Sequence, residues 1–289
     1  MQHDEHPQEW YEREYNPRLT IPDMADIVAA WVERSAALRA NRPVLADIQT
    51  GDHPRERVDL FRASPSKGTV VYLHGGFWCG SSKEEVSWVA ESLLSEGYSV
   101  ALLNYPLCPE VSLETLVESV RRSFARLISE VLNDAERRTV VVAGHSAGGY
   151  LAADLVATDW TAYGLPPQPF TGAVLISGMF DLGPLVCLTR NEFVGLTAEL
   201  AARLSLHETA PKVRVPLAFV VGGAETSEFR RQSRTMAKAW SELEPDVVEI
   251  PGANHFTVVE DLSLPASKLR AILVGMLARG EKGAVPGNG

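Results

Sequence analysis

Short, almost uninterrupted apolar runs alternate along this chain with longer segments of helical period, and few architectures accommodate that pattern. The clearest runs are 69–73, 98–103, 139–143, 173–176, 217–221 and 247–250. A strand that is apolar at every position must be covered on both faces, which is the situation of a parallel sheet between two helical layers. Two earlier runs, 44–48 and 58–61, are joined by the turn residues Gly51, His53 and Pro54 and read as an antiparallel start. Helices are expected over 83–95, 113–132, 147–158, 227–243 and 263–278. The expected fold class is therefore α/β: a central, mostly parallel eight-stranded sheet with helices on both faces.

The 289 residues suffice for one large domain, expected over 1–279, with a Gly- and Pro-rich tail at 280–289 too poor in apolar residues to stay ordered. Two segments stand outside the alternation: an N-terminal arm (1–40) and an insertion at 181–211 with a helical piece at 197–205. Segments of this kind either pack on the surface or form a cap over an active site. Lys and Arg number 27 against 37 Asp and Glu, and the net charge of −10 argues against nucleic acid or an anionic membrane as partner. Neither a secretory signal nor a membrane-spanning run is expected, and Cys79, Cys108 and Cys187 fit neither a disulfide framework nor a metal site, so a cytoplasmic protein is expected. A small-molecule substrate is the expected partner; the sequence leaves monomer and homodimer open.

Gly144-His145-Ser146-Ala147-Gly148 follows one predicted strand and opens a helix. That is the context in which GxSxG forms a sharp nucleophile elbow, with glycines relieving crowding around a strained Ser. The bare pattern arises by chance in about one chain in ten of this length, and a tight helix–strand turn would use the same residues. A second motif, His74-Gly75-Gly76-Phe77-Trp78, follows the strand at 69–73. Its glycine N–H groups (Gly75, Gly76) and that of Ala147 are candidate oxyanion donors. A Ser hydroxyl needs a base to take its proton, and of the seven histidines His255 lies directly after the last predicted strand, where the order Ser, acid, His puts the base. Glu225, in the loop after the strand at 217–221, is the candidate acid. Position disfavours Asp181, Asp246, Glu260 and Asp261, while Glu228, one helical turn on, is the rival. Phe77, Trp78 and Phe256 flank the motifs and are candidate pocket residues. Neither a metal nor a cofactor is expected.

Taken together, His74-Gly75-Gly76-Phe77-Trp78, Gly144-His145-Ser146-Ala147-Gly148-Gly149, the stretch from Glu225 through Ser233, and Asn254-His255-Phe256 resemble the arylformamidases, or kynurenine formamidases, of the α/β-hydrolase superfamily. The resemblance spans nearly the whole chain. It implies an α/β-hydrolase fold and cofactor-free cleavage of the formamide of N-formylkynurenine through a covalent formyl-enzyme. Members of that family commonly carry Tyr where this chain has Phe77, and many have Asp where it has Glu225. A broader resemblance to HGG-containing carboxylesterases leaves hydrolysis of small acyl esters open. A non-hydrolytic or cyclising reaction on the same elbow is a third reading.

Overall fold

In the computed structural model, which describes residues 6–283, the apolar runs pair into one eight-stranded sheet in the order β1-β2-β4-β3-β5-β6-β7-β8. The strands are β1 (Leu45–Gln49), β2 (Arg57–Phe61), β3 (Thr69–Leu73), β4 (Ser99–Leu103), β5 (Val140–His145), β6 (Gly172–Ile176), β7 (Leu217–Gly222) and β8 (Asp246–Ile250). Strand β2 runs antiparallel to both β1 and β4, and every pairing from β4 through β8 is parallel. Helices α1 (Gln8–Tyr15), α2 (Pro17–Thr20) and α3 (Met24–Asn41) precede the sheet. Next come α4 (Ala90–Ser95), α5 (Leu113–Arg126), α6 (Asp134–Arg137) and α7 (Ala147–Ala157), then α8 (Asn191–Val194) and α9 (Ala198–Leu204) in the segment after β6. The chain ends with α10 (Ser227–Ala239), α11 (Thr257–Glu260) and α12 (Lys268–Gly283).

Successive strand residues feed opposite cores, which is why the runs lack polar positions. On one face Val71, Leu73, Val142, Leu175 and Phe219 pack with side chains of α5, α7 and α10. On the other, Val70, Tyr72, Val141, Val174 and Val220 pack with α3, α4 and α12.

Several element boundaries differ from those read in the sequence. The helix expected at 83–95 is α-helical only from Ala90, after a 3₁₀ turn at Ser87–Val89. Lys83 is the reason: its backbone N–H donates to Asn104 Oδ1 (2.8 Å), and its buried ammonium holds Asp59 (2.9 Å), Asp47 (2.8 Å) and Glu84. The chain is thus tied to β1 and β2 before a regular helix can start. Helix α5 gives way to a π turn at Leu127–Val131, where Leu132 N–H reaches back to the Leu127 carbonyl (3.0 Å). The last helix begins only at Lys268, beyond Pro265, where Asp261 accepts from Leu269 N–H (2.7 Å). It runs to Gly283, past the 278 expected, and the rest of the expected tail lies outside the described residues.

The arm and the insertion are both fastened to α10. The Glu14 carboxylate caps that helix, accepting from Ser227 Oγ (2.7 Å) and Glu228 N–H (3.1 Å). Tyr15 Oη donates to the Glu228 carboxylate and accepts from Gln232 Nε2 (3.2 Å), whose amide oxygen accepts from the N–H groups of Phe180 (2.9 Å) and Asp181 (2.8 Å).

The Lys83 cluster generates a stability prediction. Asp59 is fully buried and also pairs with Arg39, so Lys83→Met leaves one buried carboxylate with a single cation. Breaking a buried pair costs about 3–5 kcal/mol, and urea unfolding of Lys83→Met should show a loss near the lower end, with Arg39 offsetting the rest. A loss under about 1 kcal/mol would mean that the cluster does not anchor this edge of the sheet.

Candidate active site

Each chemical group of the site follows the carboxyl end of a parallel strand: His74 after β3, Ser146 after β5, Ser177 after β6, Glu225 after β7 and His255 after β8. Ser146 sits between β5 and α7 with φ 57° and ψ −119°, a strained conformation for a residue with a Cβ. The flanking glycines are sterically required. A Cβ on Gly144 would stand 2.0 Å from the Gly148 carbonyl oxygen, and one on Gly148 would stand 2.1 Å from that of Leu73.

The loop after β8 is folded by Asn254, whose Oδ1 accepts from Phe256 and Thr257 N–H (2.9 Å each). That turn presents His255, which is buried against Phe229 with ring centroids 4.2 Å apart. Ser146 Oγ donates to His255 Nε2 (3.0 Å), and His255 Nδ1 donates to Glu225 Oε2 (2.7 Å). Glu225 Oε1 accepts from Gly222 N–H (2.7 Å) and from Ser177 Oγ. The three residues singled out in the sequence are therefore joined in one hydrogen-bonded chain. Chemically, such a chain can move a proton from hydroxyl to imidazole while the carboxylate stabilises the imidazolium.

The rival acids are committed elsewhere. Glu228 is held by Tyr15 and Arg231, Asp181 faces Arg231 (3.4 Å), Glu260 accepts from Trp31 Nε1 (3.1 Å), and Asp261 caps α12. Ser177 was not foreseen; its position directly after the strand expected at 173–176 is the signal the sequence offers, and in the fold it takes φ 49°.

In the loop after β3, Gly76 has φ 111°, and a Cβ there would lie 2.2 Å from the Gly80 carbonyl oxygen. Phe77 and Trp78 follow with φ of 57° and 58°. His74 braces the loop by donating from Nδ1 to the Gly75 carbonyl (2.7 Å), while Tyr105 Oη donates to the His74 carbonyl (2.7 Å). Among the described residues, no hydrogen bond uses the N–H of Gly75, Gly76 or Ala147, leaving these donors free. Phe77 and Phe256 line the cavity beside Ser146, but Trp78 does not. The sequence grouped Trp78 with them; the two left-handed residues turn its ring into the core, where it meets Tyr150 edge-on at 5.4 Å.

The cavity measures about 270 Å³. The arm contributes Tyr15, Arg18 and Trp31, the insertion contributes Arg190, and Phe77, Trp88, Phe229 and Phe256 complete a largely aromatic wall. Cys79 also lines it, and burial pushes its thiol pKa up, away from the reactive thiolate. Among the described residues, no cluster of three or more His, Cys, Asp or Glu is placed to hold a metal, and no helix is long and apolar enough to cross a membrane.

With fold and site in view, comparison with known proteins is informative. Residues 70–195 match a family described by the α/β hydrolase fold. The chain is 30% identical to kynurenine formamidase of Danio rerio over 93% of this chain and 96% of that protein. It is 29% identical to kynurenine formamidase of Salmo salar, over 96% and 98% of the two chains. The crystal structure of a candidate thioesterase from Silicibacter sp. TM1040 superposes with a TM-score of 0.79 at 29% identity, covering 88% of this chain and 95% of that one. The chain is an enzyme, a hydrolase of the α/β-hydrolase fold. Within that fold it belongs to the kynurenine formamidase family.

Burial lowers the pKa of His145 to about 3, with the nearby His255 adding to the effect, and burial likewise lowers that of His74 to about 4. With pKa values this low both rings stay neutral in the fold near neutral pH, although His145 Nε2–H donates to the His255 carbonyl (2.7 Å). Unfolded, each takes up a proton near pH 6.5, so the unfolded chain binds more protons below that pH. Stability should therefore fall as pH drops from 6.5 toward 4, each histidine adding a slope approaching about 1.4 kcal/mol per pH unit. Urea unfolding of His145→Asn should show a flatter pH dependence than wild type in this window, and parallel curves would contradict the assignment.

Proposed function

We propose that this hydrolase cleaves a small aryl formamide of the N-formylkynurenine kind through a formyl-enzyme on Ser146. The observation that carries the reading is the continuous chain Ser146–His255–Glu225, opening on an aromatic-walled cavity. The substrate class is supported by the kynurenine formamidase relatives. In this mechanism His255 takes the Ser146 proton as Oγ attacks the formyl carbon, and the N–H groups of Gly75, Gly76 and Ala147 are the donors to the resulting oxyanion. The imidazolium, stabilised by Glu225, returns the proton to the amide nitrogen, and the aryl amine leaves. Water, deprotonated by His255, then attacks the formyl ester and releases formate and free Ser146. No step needs a cofactor. The aromatic lining suits a flat leaving group, and within it Trp31 packs against Phe256 (5.9 Å between ring centroids) and Trp88 (5.7 Å).

A second reading, hydrolysis of a small acyl ester or thioester, is favoured by the likeness to the candidate thioesterase. The acyl group separates the two. We expect formanilides to exceed the matching acetanilides in kcat/KM by at least about tenfold, on the reading that Phe77 and Phe256, which line the cavity beside Ser146, crowd a methyl in place of the formyl hydrogen. Ser146→Ala should lose on the order of a million-fold, and Glu225→Gln up to about ten-thousand-fold by analogy with the Asp→Asn change in serine proteases. Equal or better kcat/KM on acetylated substrates would move the assignment to an esterase. Near-normal rates in Ser146→Ala would end the serine mechanism.

A further inference from the structure

Strand β6 lies between β5, which leads to Ser146, and β7, which leads to Glu225, and its carboxyl end is bonded to both residues. The Ile176 carbonyl accepts from Ser146 N–H (2.8 Å), and the next residue, Ser177, donates from Oγ to Glu225 Oε1. Glu225 Oε2 accepts from His255, and His255 Nε2 accepts from Ser146 Oγ. The hydrogen bonds therefore close into a ring: it leaves the nucleophile through its side chain and returns to it through its backbone.

Ser177 is an unexpected residue for its place. It is fully buried with φ 49°, in the left-handed region, which glycine adopts without strain and other residues do not. A glycine stands immediately beside it, at Gly178. The backbone is held on both sides of the strain: Ser177 N–H donates to the Val220 carbonyl (2.8 Å), and Phe180 N–H donates to Gln232 Oε1 (2.9 Å). A serine kept where glycine fits more easily, with its hydroxyl on a buried carboxylate, indicates that the hydroxyl is what the position requires. Glu225 needs such a hold, since its side chain is shielded from water and its carboxylate turns about one more bond than that of an aspartate. The other donor to Oε1, Gly222 N–H (2.7 Å), belongs to the strand that Glu225 itself follows, whereas Ser177 reaches across from the neighbouring strand.

We infer that Ser177 is a positioning residue of the reaction: its hydroxyl fixes Oε1 so that Oε2 meets His255 Nδ1, and through β6 it keeps the acid in register with the nucleophile. Ser177 does not line the cavity, so its effect falls on kcat and leaves KM nearly unchanged. The inference rests on reading Ser146, His255 and Glu225 as the catalytic chain, and it holds whether the acyl group is formyl or acetyl.

A double-mutant cycle tests it, read as hydrolysis of 4-nitrophenyl acetate, an activated ester open to both readings of the substrate. Ser177→Ala and Ser177→Gly, the second suited to the left-handed backbone, should each lower kcat by about ten- to a hundredfold, the range of one hydrogen bond to a charged group, with KM held. In the Glu225→Gln background the same changes should cost less than about twofold, because a residue that acts through the acid has nothing left to position. A structural defect would instead give equal losses in both backgrounds. Equal losses, a loss confined to KM, or wild-type kcat in both Ser177 variants beside an inactive Glu225→Gln would overturn the proposal. Near-wild-type kcat in Glu225→Gln alone would refute the assignment of the acid, and the role of Ser177 with it.

Discussion

The start of α7 crosses the ends of β3 and β5 with no space for a side chain, and the rest of the site follows from that contact. Gly144 and Gly148 let the backbones meet, and the turn between them forces Ser146 into a conformation that costs about 1–3 kcal/mol. Two backbone hydrogen bonds offset the strain: Ser146 N–H to the Ile176 carbonyl (2.8 Å) and Tyr150 N–H to the Ser146 carbonyl (3.1 Å). The same crossing leaves the Ala147 N–H at the head of a helix, without an intrahelical acceptor and where partial positive charge accumulates. The candidate nucleophile and the candidate anion donor are thus products of one packing constraint.

Around this fixed point, polar contacts fasten the roof in addition to its buried apolar residues, among them Tyr11, Leu185, Leu188 and Leu196. Tyr15, Glu228, Arg231, Gln232 and Asp181 form one network that ties α1 and the start of the insertion to α10, the helix that follows Glu225. Glu228, the rival acid in the sequence, thereby has a structural occupation: it orients the arm that contributes Tyr15 and Arg18 to the cavity. Burial raises the pKa of Tyr15 well above the ordinary phenol range, so its hydroxyl stays a donor to Glu228 at any working pH.

What was legible in the sequence was whatever depends on local spacing. The strands announced themselves by continuous apolarity, and Gly144 and Gly148 by the sharp turn around Ser146. Ser146, Glu225 and His255 could be grouped because each follows a strand end in a fixed order. What was not legible depended on partners far along the chain. Nothing near Lys83 reveals that its ammonium is claimed by Asp47 and Asp59, so the helix expected at 83–95 starts late. Adjacency to Phe77 groups Trp78 with the pocket, whereas after two consecutive positive φ angles only Phe77 lines the cavity and the Trp78 ring, 5.5 Å from it, packs in the core. Ser177 and Arg190 belong to no motif; they matter because β6 ends beside Glu225 and the insertion folds back over Phe77.

The central claim is that Ser146, and not the nearby thiol of Cys79, is the group activated for attack on a carbonyl. A fluorophosphonate probe reads this directly, since it reacts with a nucleophile only where a base and anion donors already surround it. Peptide mass spectrometry after one equivalent of probe should find the adduct on Ser146, with activity lost in proportion to labelling. An adduct on Cys79, or full activity with Ser146 modified, would contradict the account.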